Sequence, residues 1–460
     1  MKKLFLSVSV LCLTLSVYAQ RYLGVSGGSY NTINSIYLNP ANLGGCAEKL
    51  SVNMLSFNMG LDNDLGTISS VSDISKTTGS DSGGTNIFKV TNNGSKFSMM
   101  VPMVEVRGPS VLYRINASHT LAFTTRIRAI NEFNNFDRSL YTSVNDPSSV
   151  NTSAVAFNAQ NFNWTAHVWS EYGLSYGGVV YNGSSISVKA GATVRYLAGI
   201  GYIGIKGKNL DVSYTSGSDS FRAGNTDIQY ASNIQSLSDG FSNGVSASKL
   251  FGGPSGGSGV GADLGAVVTY KTGTETADYS VLLSAAITDI GAITYKNSAY
   301  VNVAGNGYIK GSDLTENVKN YQDLRNYAAT KGFTVDTGTQ STKVYLPTAM
   351  VLVADMHLYK KFYVSGTLIA NMAKDANFGS KYYSQFSVTP RFDTRLFTVG
   401  LPITYNTLSK TMRFGFGFRF AGFFMGSDDM MANFSSNQYG YNFYAGGMIP
   451  IYRKLKNNNL

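Results

Sequence analysis

The chain has 460 residues, of which only 14% are charged, and a formal net charge of +10. Ordinary soluble domains carry about 25% charged residues, so a charge-covered soluble surface is a poor fit. The 2 cysteines exclude a disulfide framework, and the scattered basic residues argue against a nucleic-acid partner.

The first segment is MKKLFLSVSVLCLTLSVYAQ. Lys2 and Lys3 precede an apolar run over 4–17, which is too short to span a bilayer as a helix. Val17, Tyr18 and Ala19 fit a small-residue cleavage site. The reading is an exported protein, cleaved between Ala19 and Gln20, with 1–19 as signal peptide.

Next comes YNTINSIYLNPANLGG, residues 30–45. Pro40 fixes its own φ and biases Asn39 away from helix. Asn39 and Asn42 can bond nearby backbone, giving a compact turn. Either a rigid plug element or a plain N-terminal cap on a short helix accounts for it.

From residue 49 onward, stretches of about ten residues alternate apolar and polar side chains, the period of a strand with two different faces. They fall at 49–58, 104–115, 119–131, 164–176, 185–196, 259–271 and 279–290, then at 343–358, 361–372, 382–392, 395–405, 412–419, 423–428 and 439–452. In 185–196, Ile186, Val188 and Val194 share one face, while Lys189 and Arg195 share the other. A soluble sandwich would bury the first face; a membrane barrel would turn it to lipid.

Three features select the barrel. The strand count, 14, is even, as in single-chain outer-membrane barrels. Aromatic residues are abundant, with 30 Tyr and 26 Phe, as interfacial girdles require. Every second connection is short, whereas the four long ones, about 59–103, 132–163, 197–258 and 291–342, fall on the other side. The predicted fold is an all-β transmembrane antiparallel barrel of about 14 strands. Its interior should be lined by Arg126, Arg128, Glu171, Lys189, Arg195, Asp263, Arg413 and Arg419.

The long loops carry further signals. Asp313 and Glu316 resemble a capping box, and Leu314, Val318, Tyr321, Leu324 and Ala328 recur at helical spacing up to Gly332. This predicts one amphipathic helix over the barrel mouth. The stretches NLDVSYTSG and TDIQYAS suggest an extra hairpin outside the membrane, and GGPSGGSGVG a flexible tether.

Nothing points to catalysis. Two Gly-x-Ser-x-Gly matches, at 24–28 and 253–257, lack the strand and helix a nucleophile elbow needs. His119, His167 and His357 lie on separate strands without metal-ligand spacing. Neither an enzyme, a metal nor a cofactor is expected.

Asn39-Pro40-Ala41 matches the Asn-Pro-Ala motif in the N-terminal hatch of the long-chain fatty acid transporter (FadL-like) family. The segments 106–128, 259–270, 282–295 and 418–430 resemble an uncharacterised FadL-like outer-membrane family, related in fold to PorV-like proteins of the type IX secretion system. The resemblance implies a 14-stranded barrel whose N-terminal segment folds into the lumen as a plug. The expected division is 20–48 hatch, 49–453 barrel and 454–460 tail. The implied role is an outer-membrane barrel, with membrane lipid around it, for passive uptake of small hydrophobic or amphipathic molecules. The alternative is a barrel that anchors or partners secretion-system proteins. The terminus YRKLKNNNL departs from the terminal aromatic common in barrel-assembly signals.

Overall fold

The computed structural model describes residues 22–68, 88–91, 94–139, 155–215, 220–234, 256–271, 279–310, 313, 316, 321–374, 378–430 and 438–452. The expected signal peptide, the C-terminal tail and residues 252–255 of the expected Gly/Ser tether lie outside them, while 257–261 of that tether belong to a strand.

Fourteen antiparallel strands form one closed sheet. They are β1 (Glu48–Asn63), β2 (Lys96–Arg107 and Ser110–Arg114), β3 (His119–Asp137), β4 (Val155–Asn182), β5 (Ile186–Thr215), β6 (Ser220–Ser232 and Gly257–Lys271) and β7 (Tyr279–Lys310). Then follow β8 (Phe333–Tyr345 and Ala349–Tyr359), β9 (Phe362–Asn371), β10 (Gln385–Asp393), β11 (Phe397–Gly400 and Ile403–Asn406), β12 (Thr411–Phe414 and Phe416–Phe420), β13 (Phe423–Ser427) and β14 (Gly440–Tyr452). The ring closes where β14 pairs with β1, from Glu48 opposite Tyr452 to Asp62 opposite Gly440. Closure leaves no free edge in hydrocarbon, where an unpaired amide has no water to bond.

The alternation decides which way the wall faces. Leu174, Val194 and Val260 are 61%, 58% and 64% exposed on the outside. Their neighbours Ser175, Thr193 and Arg195 are buried on the inside. A wall that is apolar outside and charged within is the arrangement of a membrane-spanning barrel, and a stacked sandwich would show the reverse.

All fourteen predicted stretches coincide with strands, yet several strands run much further. β4, β5 and β7 have 28, 30 and 32 residues, against about 9–11 needed to cross a bilayer. Pairing continues beyond the apolar stretches, where exposed residues become polar, as at Lys208 and Asn209 around an irregularity of the ladder. Period-two apolarity reports contact with lipid and stops where lipid stops.

Two expectations change accordingly. The predicted separate hairpin is part of the wall: Ile203–Thr215 of β5 pairs with Ser220–Ser232 of β6, whose other edge pairs with β7. The predicted helix is present as α3 (Tyr321–Thr330), with Asp313 and Glu316 ahead of it also helical, and Gly332 beyond it takes a positive φ of 95°. Leu314 and Val318 lie outside the described residues. Its Ala328 packs with Ala223 and Phe333 of the upper wall, so the contacts of α3 are with the strands that rise beside the mouth.

β6 is broken. Its first segment ends with Ser232 opposite Ile203 and Ala299, and the second starts with Gly257 opposite Gly199 and Tyr295. Between these rows the ladder is bridged by Asn233. Its Oδ1 accepts from the Tyr202 N–H at 2.6 Å, its N–H donates to Tyr202 O at 3.2 Å, and its Nδ2 donates to Ile200 O at 3.3 Å.

Candidate functional site

The segment before β1 packs against the inner wall. It comprises α1 (Leu23–Ser26), α2 (Thr32–Ser35) and a 3-10 turn, Pro40–Leu43. Nearly every residue from Tyr22 to Cys46 outside 27–30 is buried, which such short elements achieve only with the barrel around them.

The Asn-Pro-Ala turn combines both roles considered for it. Asn39 Oδ1 caps the turn, accepting from the Ala41 N–H at 2.8 Å. Pro40 occupies the first helical position, where its missing N–H costs nothing. Asn39 Nδ2 reaches the wall, donating to Ser284 Oγ at 2.7 Å, Ala266 O at 3.0 Å and Ala285 O at 3.1 Å.

The wall is shaped for it. One hydrogen-bonded row runs Thr120, Gly177, Gly191, Gly265, Ala286 across β3 to β7. A Cβ on Gly191 would stand 2.4 Å from Ala41 N, and one on Gly265 would stand 1.9 Å from Asn39 Oδ1. The missing side chains are the seat. Asn39→Ala should therefore loosen the turn by about 1–3 kcal/mol, since it unmakes a cap and strands buried acceptors. Amide exchange over 39–43 should quicken while exchange in β5 and β6 stays slow; unchanged exchange at 39–43 would contradict the anchoring.

Other contacts fix the rest of the segment. Glu48 accepts from Thr32 N–H and Oγ1 at 3.1 and 2.7 Å. Ser29 N–H donates to Asp393 Oδ2 at 2.8 Å, and Arg107 Nη1 donates to Asn34 Oδ1 at 2.9 Å.

Next to the glycine row comes a layer of ion pairs. Arg126 meets Glu171 at 2.6 Å, and Glu105 and Asp289 at 3.0 Å each. Arg128 meets Glu171 and Asp289, both at 3.2 Å. Arg195 grips Asp263 with two N–H groups and stands 3.3 Å from Glu171; Arg107 holds Glu105 at 2.7 Å. Four guanidiniums thus face four carboxylates, and all eight are buried. Aromatic rings take up the guanidinium faces: Arg107 lies 4.0 Å from the Tyr22 ring centre and 4.1 Å from that of Tyr37, and Arg128 lies 4.9 Å from Trp169.

Above the ions the interior turns apolar. Met100, Met103, Ile130, Trp169, Leu197, Tyr202, Ile293, Tyr295, Val344 and Leu346 belong to one buried cluster, to which eight neighbouring strands, β2 to β9, contribute, β6 through Ala231 and β9 through Ile369, together with Leu23 and Leu38 of the segment before β1. Tyr202 and Tyr295 stack with ring centres 5.7 Å apart, His167 donates to or accepts from Tyr295 Oη at 3.0 Å, and the His167 ring lies 4.4 Å from that of Trp169. The broken row of β6 lies directly behind them: a Cβ on Gly257 would stand 2.7 Å from Tyr295 Cδ1, and one on Gly199 2.4 Å from its hydroxyl.

Arg126, Arg128, Glu171, Arg195 and Asp263 are thus brought together. The other three predicted residues are apart. Arg413 pairs with Asp62 at 2.6 Å and stands 3.4 Å from Asp429. Arg419 donates to Thr394 O, Arg395 O, Ala421 O and Thr398 Oγ1 beside the short turns, with Asp393 at 3.7 Å. Lys189 is buried towards the short-turn end and makes no ion pair among the described residues. Sequence reasoning missed Glu105, Arg107 and Asp289 as members of the layer. Glu105 and Arg107 had a readable signal, Val104-Glu105-Val106-Arg107, alternating like the neighbouring strands. Asp289 breaks the alternation, because it sits at a positive φ of 57° between Thr288 and Ile290.

No curated protein matches the chain. Among solved structures it is similar to the CymD monoaromatic hydrocarbon channel, with 12% identity, 95% of this chain and 100% of that one covered, and a TM-score of 0.44. It is also similar to the P. putida toluene transporter TodX, with 9% identity, 92% and 94% covered, and a TM-score of 0.42. A third is a Pseudomonas aeruginosa FadL homologue, with 10% identity, 94% and 96% covered, and a TM-score of 0.40. Across residues 40–428 the chain matches the model of a family of unknown function, DUF5723, and it belongs to that family.

Proposed function

We propose that this chain is an outer-membrane barrel that admits small hydrophobic or amphipathic molecules to its apolar interior and passes them on without bond making. One observation carries the reading: the inward faces of neighbouring strands form a continuous aromatic and aliphatic cluster, level with the broken row of β6. Water and ions gain nothing from such a lining, whereas an apolar solute does. The hatch and the ion layer beneath keep the section closed to polar solutes. A solute leaving sideways would pass where, among the described residues, Ser232 Oγ and Asn233 hold β5 between the two segments of β6.

The only 2 tryptophans, Trp164 and Trp169, sit in β4 beside this cluster. Naphthalene titrated into the purified protein in non-ionic detergent should change their emission saturably. Trp169→Phe should remove most of the signal, and Tyr295→Ala should weaken binding by about tenfold, as losing roughly 1.4 kcal/mol of aromatic contact does. A signal that is linear in naphthalene and identical in Tyr295→Ala would overturn the reading. Asn233→Ala should speed amide exchange at Tyr202 and raise the rate of naphthalene entry; slower or equal entry would place the route elsewhere.

The second reading, a barrel that anchors or partners exported proteins, is favoured by the density of the ion layer, which fills the section below the cluster. Absence of saturable naphthalene binding together with a stoichiometric co-purifying protein would select it.

A further inference from the structure

From β8 round to β1, the short-turn rim of the barrel carries exposed charge of one sign. Among the described residues these charges are Lys360, Lys361, Arg395 and Lys49. The carboxylates at this level are buried and occupied: Asp355 by Arg391 at 2.7 Å, Asp393 by Ser29 N–H at 2.8 Å and Thr398 Oγ1 at 2.6 Å, and Glu48 by Thr32 Oγ1 at 2.7 Å. On the long-loop rim both signs occur and pair, with Lys208 3.2 Å from Asp227 and Lys331 3.3 Å from Asp313.

A belt of rings borders these cations on the outer wall. Tyr359, Phe362, Phe392, Phe397, Phe420 and Phe423 stand at or next to the short-turn ends of six successive strands, β8 to β13. Register sets Tyr359 opposite Phe362, Phe362 opposite Phe392, Phe397 opposite Phe420 and Phe420 opposite Phe423. Phe362 and Phe392 have ring centres 4.9 Å apart, and Phe392 and Phe397 5.3 Å. Tyr359, Phe362, Phe420 and Phe423 are exposed. Such a belt lies where hydrocarbon gives way to headgroups, so the turns beyond it stand at headgroup depth.

The turn between β8 and β9 is Lys360-Lys361. A two-residue hairpin turn is best served by Asn-Gly. Here Lys360 takes a positive φ of 52° instead, a conformation that costs free energy in any residue with a side chain. Its ammonium lies 5.0 Å from the Tyr359 ring centre, against the belt. Lys361 is held through its backbone, its carbonyl accepting from the Asp393 N–H at 2.9 Å. Arg395 in the next short turn adds a third positive charge, 4.4 Å from the Tyr452 ring centre.

We infer that the Lys360-Lys361 turn is a headgroup site for an anionic phospholipid, with the two ammonium groups on its phosphate and its acyl chains along Leu358, Tyr359 and Phe362. The occupant is a lipid and not an acidic protein because the cations continue directly into an exposed apolar wall, which hydrocarbon covers. A lipid held there fixes the depth of this rim in its leaflet. The inference rests on the membrane-facing wall and is independent of what the interior admits.

The test uses the full protein, folded in non-ionic detergent and titrated with phosphatidylglycerol or phosphatidylcholine, with bound lipid counted by native mass spectrometry. Phosphatidylglycerol should bind at least about tenfold more tightly, and Lys360→Gln with Lys361→Gln should remove that preference, as the loss of two cations at headgroup depth does. Lys360→Arg with Lys361→Arg should keep it, and Lys208→Gln with Lys331→Gln, at the other rim, should leave it unchanged. Equal affinity for the two lipids, or a preference that survives the glutamine pair, overturns the inference. So does release of phosphatidylglycerol by inorganic phosphate at equal concentration, which marks a site for a soluble anion. If the glutamine pair does not fold, the unaltered protein decides: raising ammonium acetate from about 0.1 M to about 1 M should strip phosphatidylglycerol and spare phosphatidylcholine, and equal loss of both contradicts the site.

Discussion

Arg126→Met is expected to lower the barrel's stability by about 3–5 kcal/mol, the cost of breaking a buried ion network from one side. Arg126 touches three carboxylates, Glu105, Glu171 and Asp289. Its removal leaves four carboxylates facing Arg107, Arg128 and Arg195, one negative charge in excess. The loss should be read as a lower midpoint in the heat-dependent shift between folded and unfolded bands on a gel. The double variant Arg126→Gln with Glu171→Gln restores neutrality, and it should recover about 0.5–3 kcal/mol relative to the sum of the single losses. Strictly additive losses would show that the eight charges act separately and do not form one layer.

The second large effect is steric. Gly191→Leu places a side chain where Ala41 N and Pro40 C both stand 2.4 Å from the new Cβ. Both are backbone atoms, so no flexible tip can move aside. Overpacking of this kind costs about 1–3 kcal/mol even in adaptable cores, and here the turn must leave its seat. The expected outcome is a folded barrel with a released hatch: limited proteolysis should cut between residues 22 and 46, while the barrel fragment still resists heat. The control is Val194→Leu, three residues further along β5 but pointing outward, which should leave proteolysis unchanged. If Gly191→Leu left residues 22–46 protected, the glycine row would not be the seat of the turn.

The two variants separate what the residues made legible from what they did not. The wall was legible because lipid imposes period-two apolarity on every spanning strand, and Ile186, Val188 and Val194 against Lys189 and Arg195 show it in a single stretch. The reach of β5 beyond Gly199 was not, because backbone pairing above the membrane needs no apolar face. The break in β6 has the composition of a flexible tether after a hairpin, since nothing local says that Gly257 resumes the line Ser232 left. Within the site, inward charges on regular strands could be read one by one. Their pairing could not, as it depends on barrel closure: Arg126 and Asp289 are 163 residues apart in the chain. The seat was hidden differently. Gly177, Gly191 and Gly265 are ordinary members of a glycine-rich sequence until register puts them in one row.

The measurement that tests the account most directly follows two solutes in the same reconstituted vesicles, whose outer leaflet is lipopolysaccharide so that naphthalene does not cross freely. One solute is naphthalene, and the other is a small neutral sugar. An apolar interior above a closed ion layer predicts that the protein accelerates naphthalene entry, that Tyr295→Ala abolishes most of the gain, and that sugar entry stays at the level of empty vesicles. Sugar entering as fast as naphthalene would reveal an open, water-filled bore, and the account would be wrong.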